Sequence, residues 1–268
     1  MPDAYLTIAE ADMATQERLA AGLELRAADP QQRAMLRAYL ADVHFGPASR
    51  VLEVGCGTGP VTRILASWPG VAEAVGIDPS PVFIAKAREL ARGVGNATFE
   101  QASGLALPFE DRSLDVVVMH TTLCHIPEPE RALGEAHRVL RPGGWLAVFD
   151  GDYASTTLAT GEFDPLQCCV GAGWATRLND QWLVRRLPAL VRTVGFEVAR
   201  FRSHGYLQNA EPDYMLTIAD RGADALVALG RIGPDLAAAL KAEARRRAER
   251  GDFFGHIMYA SLIARKSG

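Results

Sequence analysis

Strands alternating with helices along most of the chain, near-continuous apolar strands such as Val116-Val117-Val118-Met119, and a glycine-rich turn joining the first strand to the next helix predict an α/β fold. The sheet is expected to be mostly parallel and covered on both faces, because apolar runs without alternation have no solvent side. Sheets of this kind bind ligands at the carboxyl ends of their strands.

Residues 9–43 read as helix: Leu19, Leu23, Met35, Leu36, Tyr39 and Leu40 fall at helical spacings, and Asp29-Pro30 divides the run in two. This predicts an N-terminal helical cap. A first strand over residues 50–54 ends in a glycine cluster and gives way to a helix over 61–68. The second strand, 74–78, is followed by Ser80 as N-cap and Pro81 at the first helical position, with Gly93 as the C-terminal stop. Further strands are expected over 97–101, 115–119, 145–150, 196–202 and 256–264. Helices are expected over 130–140 and 180–194, the latter carrying Leu183, Leu187, Leu190, Val191 and Val194 on one face. Between 207 and 254 the alternation lapses into helix-like sequence, including 235–250 with a basic run at Arg245, Arg246 and Arg247 that reads as a solvated helix face.

At 268 residues the chain has room for one elaborated domain or two small ones. Its formal charge of -4 supplies no global basic field for a polyphosphate backbone, so nucleic acid is not an expected partner. Residues 1–11 lack a basic start followed by an apolar stretch, and no window approaches the ~20 apolar residues of a membrane span. A cytoplasmic protein is the expectation. Cys56, Cys124, Cys168 and Cys169 have neither zinc-site spacing nor the density of a disulfide scaffold.

The segment Glu53-Val54-Gly55-Cys56-Gly57-Thr58-Gly59-Pro60 stands where the first strand turns into a helix. Glycines there let the backbone come close to a ligand. A dinucleotide fingerprint, G-x-G-x-x-G, would need its third glycine at position 60 or 62, which are Pro60 and Thr62. A nicotinamide cofactor is therefore disfavoured.

The acidic-x-G-x-G-x-G arrangement, with Val139-Leu140-Arg141-Pro142-Gly143-Gly144 further on, resembles the class I S-adenosylmethionine-dependent methyltransferases, most closely their UbiE-like type 11 branch, over residues 50–150. The resemblance implies a Rossmann-like seven-stranded sheet of order 3-2-1-4-5-7-6, the last strand antiparallel, with S-adenosylmethionine as cofactor. It implies that Glu53, Gly55, Cys56, Gly57 and Gly59 surround the amino-acid portion and ribose. Asp78 and Pro79 close the second strand, where a carboxylate can accept from both ribose hydroxyls. Gln101 to Phe109 resembles the adenine-side segment G-D-A-x-x-L-P-F, with Ser103 in place of the aspartate; Ser103 can still accept through its hydroxyl, beside Gly104 and Leu105. His120-Thr121-Thr122-Leu123-Cys124-His125-Ile126-Pro127 resembles the loop after strand four. That puts His120 and Thr121 beside the methionine part, and leaves His125 as a general base or as a pin against Glu135 or a backbone carbonyl.

On this reading residues 1–46 form the helical cap, 47–206 plus 255–268 the cofactor-binding domain, and 207–254 a helical insertion before the last strand that acts as a substrate lid. The expected function is methyl transfer to a small-molecule acceptor at oxygen, nitrogen or carbon. A catalytically silent S-adenosylmethionine-binding protein is the alternative. In-line displacement at an activated methyl asks mainly for alignment, with general-base help where the acceptor must lose a proton. His125 and Asp152 are the expected catalytic residues, with Asp150 and Tyr153 near them in sequence, and no metal is required. His204, Tyr206 and His256 are candidates for the acceptor pocket or for structural roles. Glu162, Trp174 and Trp182 could form a wall for a cationic amine, though packing is the plainer reading of both tryptophans.

Overall fold

The computed structural model describes Tyr5, Ile8 and residues 11–267. The reading of residues 1–11 as free of a leader, and the expected helix start at 9–10, fall largely outside the described residues. Two helices, α1 (Met13–Ala28) and α2 (Pro30–Leu40), precede the sheet. Asp12 caps the first by accepting from the Thr15 amide, and Asp29 caps the second by accepting from the Gln31 and Gln32 amides ahead of Pro30.

The chain then runs β1 (Ser49–Val54), α3 (Pro60–Ala66), β2 (Val71–Asp78), α4 (Pro81–Leu90), β3 (Ala97–Gln101), β4 (Leu114–His120), α5 (Pro129–Val139) and β5 (Leu140–Thr157). It continues through α6 (Gln167–Ala175), α7 (Leu183–Thr193), β6 (Phe196–Gln208), α8 (Asp213–Ala228), α9 (Pro234–Arg250) and β7 (Gly255–Lys266). The seven strands form one sheet in the order β3-β2-β1-β4-β5-β7-β6. All pairings are parallel except those of β7, which runs antiparallel to β5 and β6. The expected order is thus the observed one. Val116, Val117, Val118 and Met119 in central β4 are wholly inaccessible, which explains their unbroken apolar run: neither face of the strand meets water. Ser80 caps α4 as its sequence suggests, its hydroxyl accepting from the Phe83 amide.

Three features depart from the sequence reading. The edge formed by β5, β6 and β7 is longer than expected, because β7 continues its ladder outward, pairing Gln208 with Gly255 and Thr157 with His256. His204 and Tyr206 are therefore ladder residues: His204 bonds Ser261 across the ladder, and the Tyr206 hydroxyl donates to Asp29 at 2.7 Å. Helix α6 escapes the periodicity test because it is apolar all round, and glycines lower its propensity. It survives through packing on α8, where a Cβ added at Gly222 would lie 2.0 Å from the Cys169 carbonyl oxygen. Arg247, read as part of a solvated face, is instead largely withdrawn from solvent in an ion pair with Asp164.

The N-terminal helices are fastened over the carboxyl edge of the sheet at two places. Glu24 of α1 accepts from the Thr58 hydroxyl at 2.6 Å and pairs with Arg63 at 3.0 Å, which holds α1 against the glycine turn. Asp29, between α1 and α2, receives Tyr206 and Gln208 from the end of β6. Among the described residues no helix is long and apolar enough to cross a membrane.

Candidate functional site

The loops after β1, β2, β3 and β4 and the inner faces of α1 and α2 enclose a cavity of about 320 Å³, in the size range of small-molecule sites. The first loop owes its shape to Gly55 and Gly57, at φ of +72° and +53°, in the left-handed region that favours glycine. A Cβ would strike Thr122 at Gly55 and Leu23 at Gly57, and both of those residues line the cavity, so the glycines keep its wall open. The amides of Gly55 and Cys56 both donate to the Ile77 carbonyl, at 2.8 and 2.9 Å, which ties the loop to the end of β2.

Asp78 stands at that strand end with its carboxylate held between two amides: Gly57 N–H donates to one oxygen and Ser80 N–H to the other, each at 2.9 Å. Burial pushes its carboxyl up to about 6, against the pull of the two amides. Each oxygen keeps a second lone pair for a ligand hydroxyl. Glu53 is buried behind the loop, accepts from the Thr62 hydroxyl, and is pushed by burial up to about 8, so near neutral pH it is largely protonated.

The loop after β4 forms the opposite wall. His120 is half-buried in a ring stack, 4.8 Å from Phe149, with its Nδ1 3.0 Å from the Tyr39 hydroxyl. Burial, and then Arg26, push its imidazole down to about 3, so it is neutral at physiological pH. Thr121 holds φ of +52°, an uncommon conformation for a β-branched residue. Its amide donates to Phe149, and its hydroxyl accepts from Arg26 of α1 at 2.7 Å. A single 3₁₀ turn, Leu123–His125, brings His125 back to the cavity, its ring 4.6 Å from that of Tyr5. The Asp150 carboxylate supports this turn from behind by accepting from the Cys124 amide at 3.1 Å.

Of the residues singled out from sequence, Glu53, Gly55, Cys56, Gly57, Asp78, Pro79, Ser103, Gly104, Leu105, His120, Thr121 and His125 all line this cavity. Gly59 does not: it precedes α3 and packs on Phe99. Asp152 does not either; it is buried and accepts from Arg185 Nε at 2.9 Å. Glu135 takes the Leu107 amide and Arg138, and so is engaged away from His125. Of Glu162, Trp174 and Trp182, Trp174 alone borders either of two described cavities. It borders a smaller one of about 60 Å³, which shares Tyr5, Leu23, Arg26 and His125 with the first.

Two residues on the N-terminal helices escape sequence reasoning. Arg26 borders both cavities. Gln32 is buried at the cavity wall, and among the described residues neither the nitrogen nor the oxygen of its amide meets a hydrogen-bond partner, a costly state that a polar ligand would relieve. The only signal for either is a polar residue on the inner face of an amphipathic helix. Among the described residues no group of three or more His, Cys, Asp or Glu is placed to hold a metal ion.

The cradle fits a nucleoside with an amino-acid tail: an open glycine turn, a pinned carboxylate with spare lone pairs, and an apolar slot flanked by the loops after β3 and β4. Residues 52–148 match the methyltransferase domain family. The ubiquinone/menaquinone biosynthesis C-methyltransferase UbiE of Ectopseudomonas mendocina is 40% identical over 108 residues, 39% of this chain and 42% of that protein. The 27-O-demethylrifamycin SV methyltransferase of Amycolatopsis mediterranei is 33% identical over 150 residues, 55% of this chain and 48% of that protein. The chain spans about half the length of the curated relatives it matches. In fold, the YcgJ protein from Bacillus subtilis superposes with a TM-score of 0.61 at 20% identity, over 88% of this chain and 99% of that one.

Proposed function

We propose that this chain, whose residues 52–148 carry a class I methyltransferase domain of the UbiE-like type, transfers a methyl group from S-adenosylmethionine to a small-molecule acceptor. The observation that carries the reading is Asp78, held by two amides at the cavity wall beside an open glycine turn. When bound, S-adenosylmethionine supplies a methyl group activated by its sulfonium. Asp78 accepts from the ribose hydroxyls, Gly55, Cys56 and Gly57 leave room for the ribose and amino-acid portion, and Ser103 to Leu105 face the adenine. His120 and Thr121 border the methionine part. Helices α1 and α2 cover part of the cavity, which limits the access of water to a reactive methyl group.

Two of these relatives differ in the acceptor, one a C-methyltransferase and the other named for an O-demethyl compound, so kinship leaves the acceptor atom of this chain open. Where that atom must lose a proton, His125 is the base we assign, because it borders both cavities. Asp152 is left out of the chemistry, since it lines neither cavity and Arg185 pairs with one of its oxygens.

Calorimetric titration with S-adenosylmethionine tests the cofactor site. Asp78→Ala is expected to weaken binding by about 10-fold to 100-fold, since hydrogen bonds to a charged group contribute about 1.5–3 kcal/mol. In the wild type, affinity is expected to rise as pH increases through about 6, where the carboxylate ionises and becomes a full acceptor. An unchanged dissociation constant in Asp78→Ala removes the ribose assignment. Acceptor-dependent release of S-adenosylhomocysteine separates an enzyme from a silent binder. In that assay His125→Ala is expected to lower turnover by about 10²–10⁴-fold with cofactor affinity preserved. Near-normal turnover in a folded variant excludes it as the base.

A further inference from the structure

We propose that the methyl acceptor is an anion, bearing a carboxylate or phosphate group, and that Arg177 and Arg221 bind it beside Arg26 in the smaller cavity. This deepens the methyltransferase reading and rests on it. Three guanidiniums reach the cavity from three parts of the fold: Arg26 from α1, Arg177 from the turn after α6, and Arg221 from α8. Gly22 of α1 lies against the last, where a Cβ would make ordinary contact with its terminal nitrogen at 3.8 Å. Tyr153, Trp174 and Tyr214 supply aromatic walls for the body of a ligand.

None of these three arginines forms an ion pair with a carboxylate among the described residues, although ion pairs engage the partly buried Arg50, Arg63, Arg138 and Arg247. Gathering like charges in a partly buried place without counterions is unfavourable. Burial, and then the facing Arg177, push the Arg221 guanidinium below its ordinary value. The Tyr5 hydroxyl, raised by its own burial, is drawn back by Arg26, Arg177 and Arg221 together, so all three charges act at one point. The repulsion falls on Arg221 beside Arg177; Arg26, which burial lowers but the surrounding tyrosines raise to a net upward shift, does not share it, and an oxyanion entering beside the pair relieves it. The planar guanidinium fork matches carboxylate and phosphate oxygens two at a time.

The single carboxylate of the cofactor does not account for the cluster. Arg26 borders the larger cavity and donates to Thr121 there, whereas Arg177 and Arg221 border only the smaller one. One cation can serve the cofactor, and two are left for the acceptor. Because the chain as a whole carries a formal charge of -4, this positive spot is a local feature of the cavity that can draw an anion inward.

The test is calorimetry on the protein saturated with S-adenosylhomocysteine, using benzoate, phenyl phosphate and uncharged benzamide as probes. At least one anion is expected to bind about tenfold or more tightly than benzamide, and the probe preferred identifies carboxylate or phosphate as the group recognised. Arg177→Gln combined with Arg221→Gln is expected to abolish that preference, leave S-adenosylhomocysteine affinity within about twofold, and hold or raise the melting temperature by relieving repulsion. The single Arg221→Gln variant repeats the measurement with less perturbation. Charged and uncharged probes binding alike, or an anion preference that survives both substitutions, overturns the proposal. Failure of the wild type to bind S-adenosylhomocysteine overturns the methyltransferase reading instead, so the two failures are distinguishable.

Discussion

Two groups of three arginines sit in opposite surroundings. Arg245, Arg246 and Arg247 are consecutive in α9, and each has a carboxylate: Arg245 meets both oxygens of Asp220 at 2.8 and 2.7 Å, Arg246 meets Glu243 at 2.6 Å, and Arg247 meets Asp164 at 2.5 Å and Glu243 at 2.8 Å. Arg26, Arg177 and Arg221 are scattered along the chain, share one cavity, and have no carboxylate partner among the described residues. The run that stands out in sequence is neutralised by residues three and four positions away and by neighbouring segments. The group that is invisible in sequence keeps its field. A basic stretch is therefore weak evidence for anion binding, and convergence of unpaired charges from separate segments is strong evidence.

The largest expected effect comes from removing a counterion from the paired group. Asp164 and Arg247 have side chains only 3% and 13% exposed, and breaking a buried pair costs about 3–5 kcal/mol. Asp164→Ala is expected near the lower bound, about 3 kcal/mol, because Glu243 still serves Arg247, with a fall in melting temperature of about 6–12 °C for a chain of this size. Burial raises the Asp164 carboxyl, but Arg247 and the Thr160 and Leu166 amides outweigh it and hold it below the ordinary carboxylate range. A depressed folded value gives stability that is complete above the unfolded value of about 4 and is lost as pH falls through the folded one. The gap between wild type and variant should thus be full at neutral pH and shrink below about pH 4, as thermal melts at both pH values would record. A neutral-pH loss under about 1 kcal/mol would class the pair with exposed ones and blunt the contrast.

How much of this was legible depends on how local the signal is. The sheet order follows from the glycine turn, Asp78 and the Val139 to Gly144 segment through their resemblance to a known family, and the start of α4 is written in Ser80-Pro81, two adjacent residues. The outer ends of β5 and β6 are not legible, because their pairing is imposed by β7 about 50 to 100 positions further on. Helix α6 is hidden by its two glycines, of which Gly173 packs on α8. In the site, the loops after strands announce themselves by motif, whereas Arg26, Gln32, Arg177 and Arg221 lie on helices or their ends and are brought together only by tertiary packing. Asp152 shows the converse: it is close in sequence to a site-forming strand end, yet its carboxylate turns to Arg185.

The smaller effect comes from adding a counterion to the unpaired group, and Gly22→Asp does so with little disturbance. A Cβ at Gly22 makes ordinary contact with the Arg221 guanidinium at 3.8 Å, so a carboxylate one bond further out is within reach of an ion pair. Glycine in a helix interior is itself unfavourable, so the backbone gives no reason for destabilisation. If Arg221 is an uncompensated charge, the new carboxylate relieves its repulsion with Arg177, and the melting temperature should rise by about 2–4 °C, the equivalent of about 1 kcal/mol. The same pairing competes with an incoming oxyanion, so the preference for benzoate or phenyl phosphate over benzamide should fall about tenfold, short of abolition because Arg26 and Arg177 remain. Gly22→Asn, of nearly the same shape but uncharged, separates charge from bulk and should leave the preference close to that of the wild type. A Gly22→Asp protein that melts higher and still prefers anions as strongly as the wild type would place Arg221 outside the binding group and leave Arg26 and Arg177 to carry it.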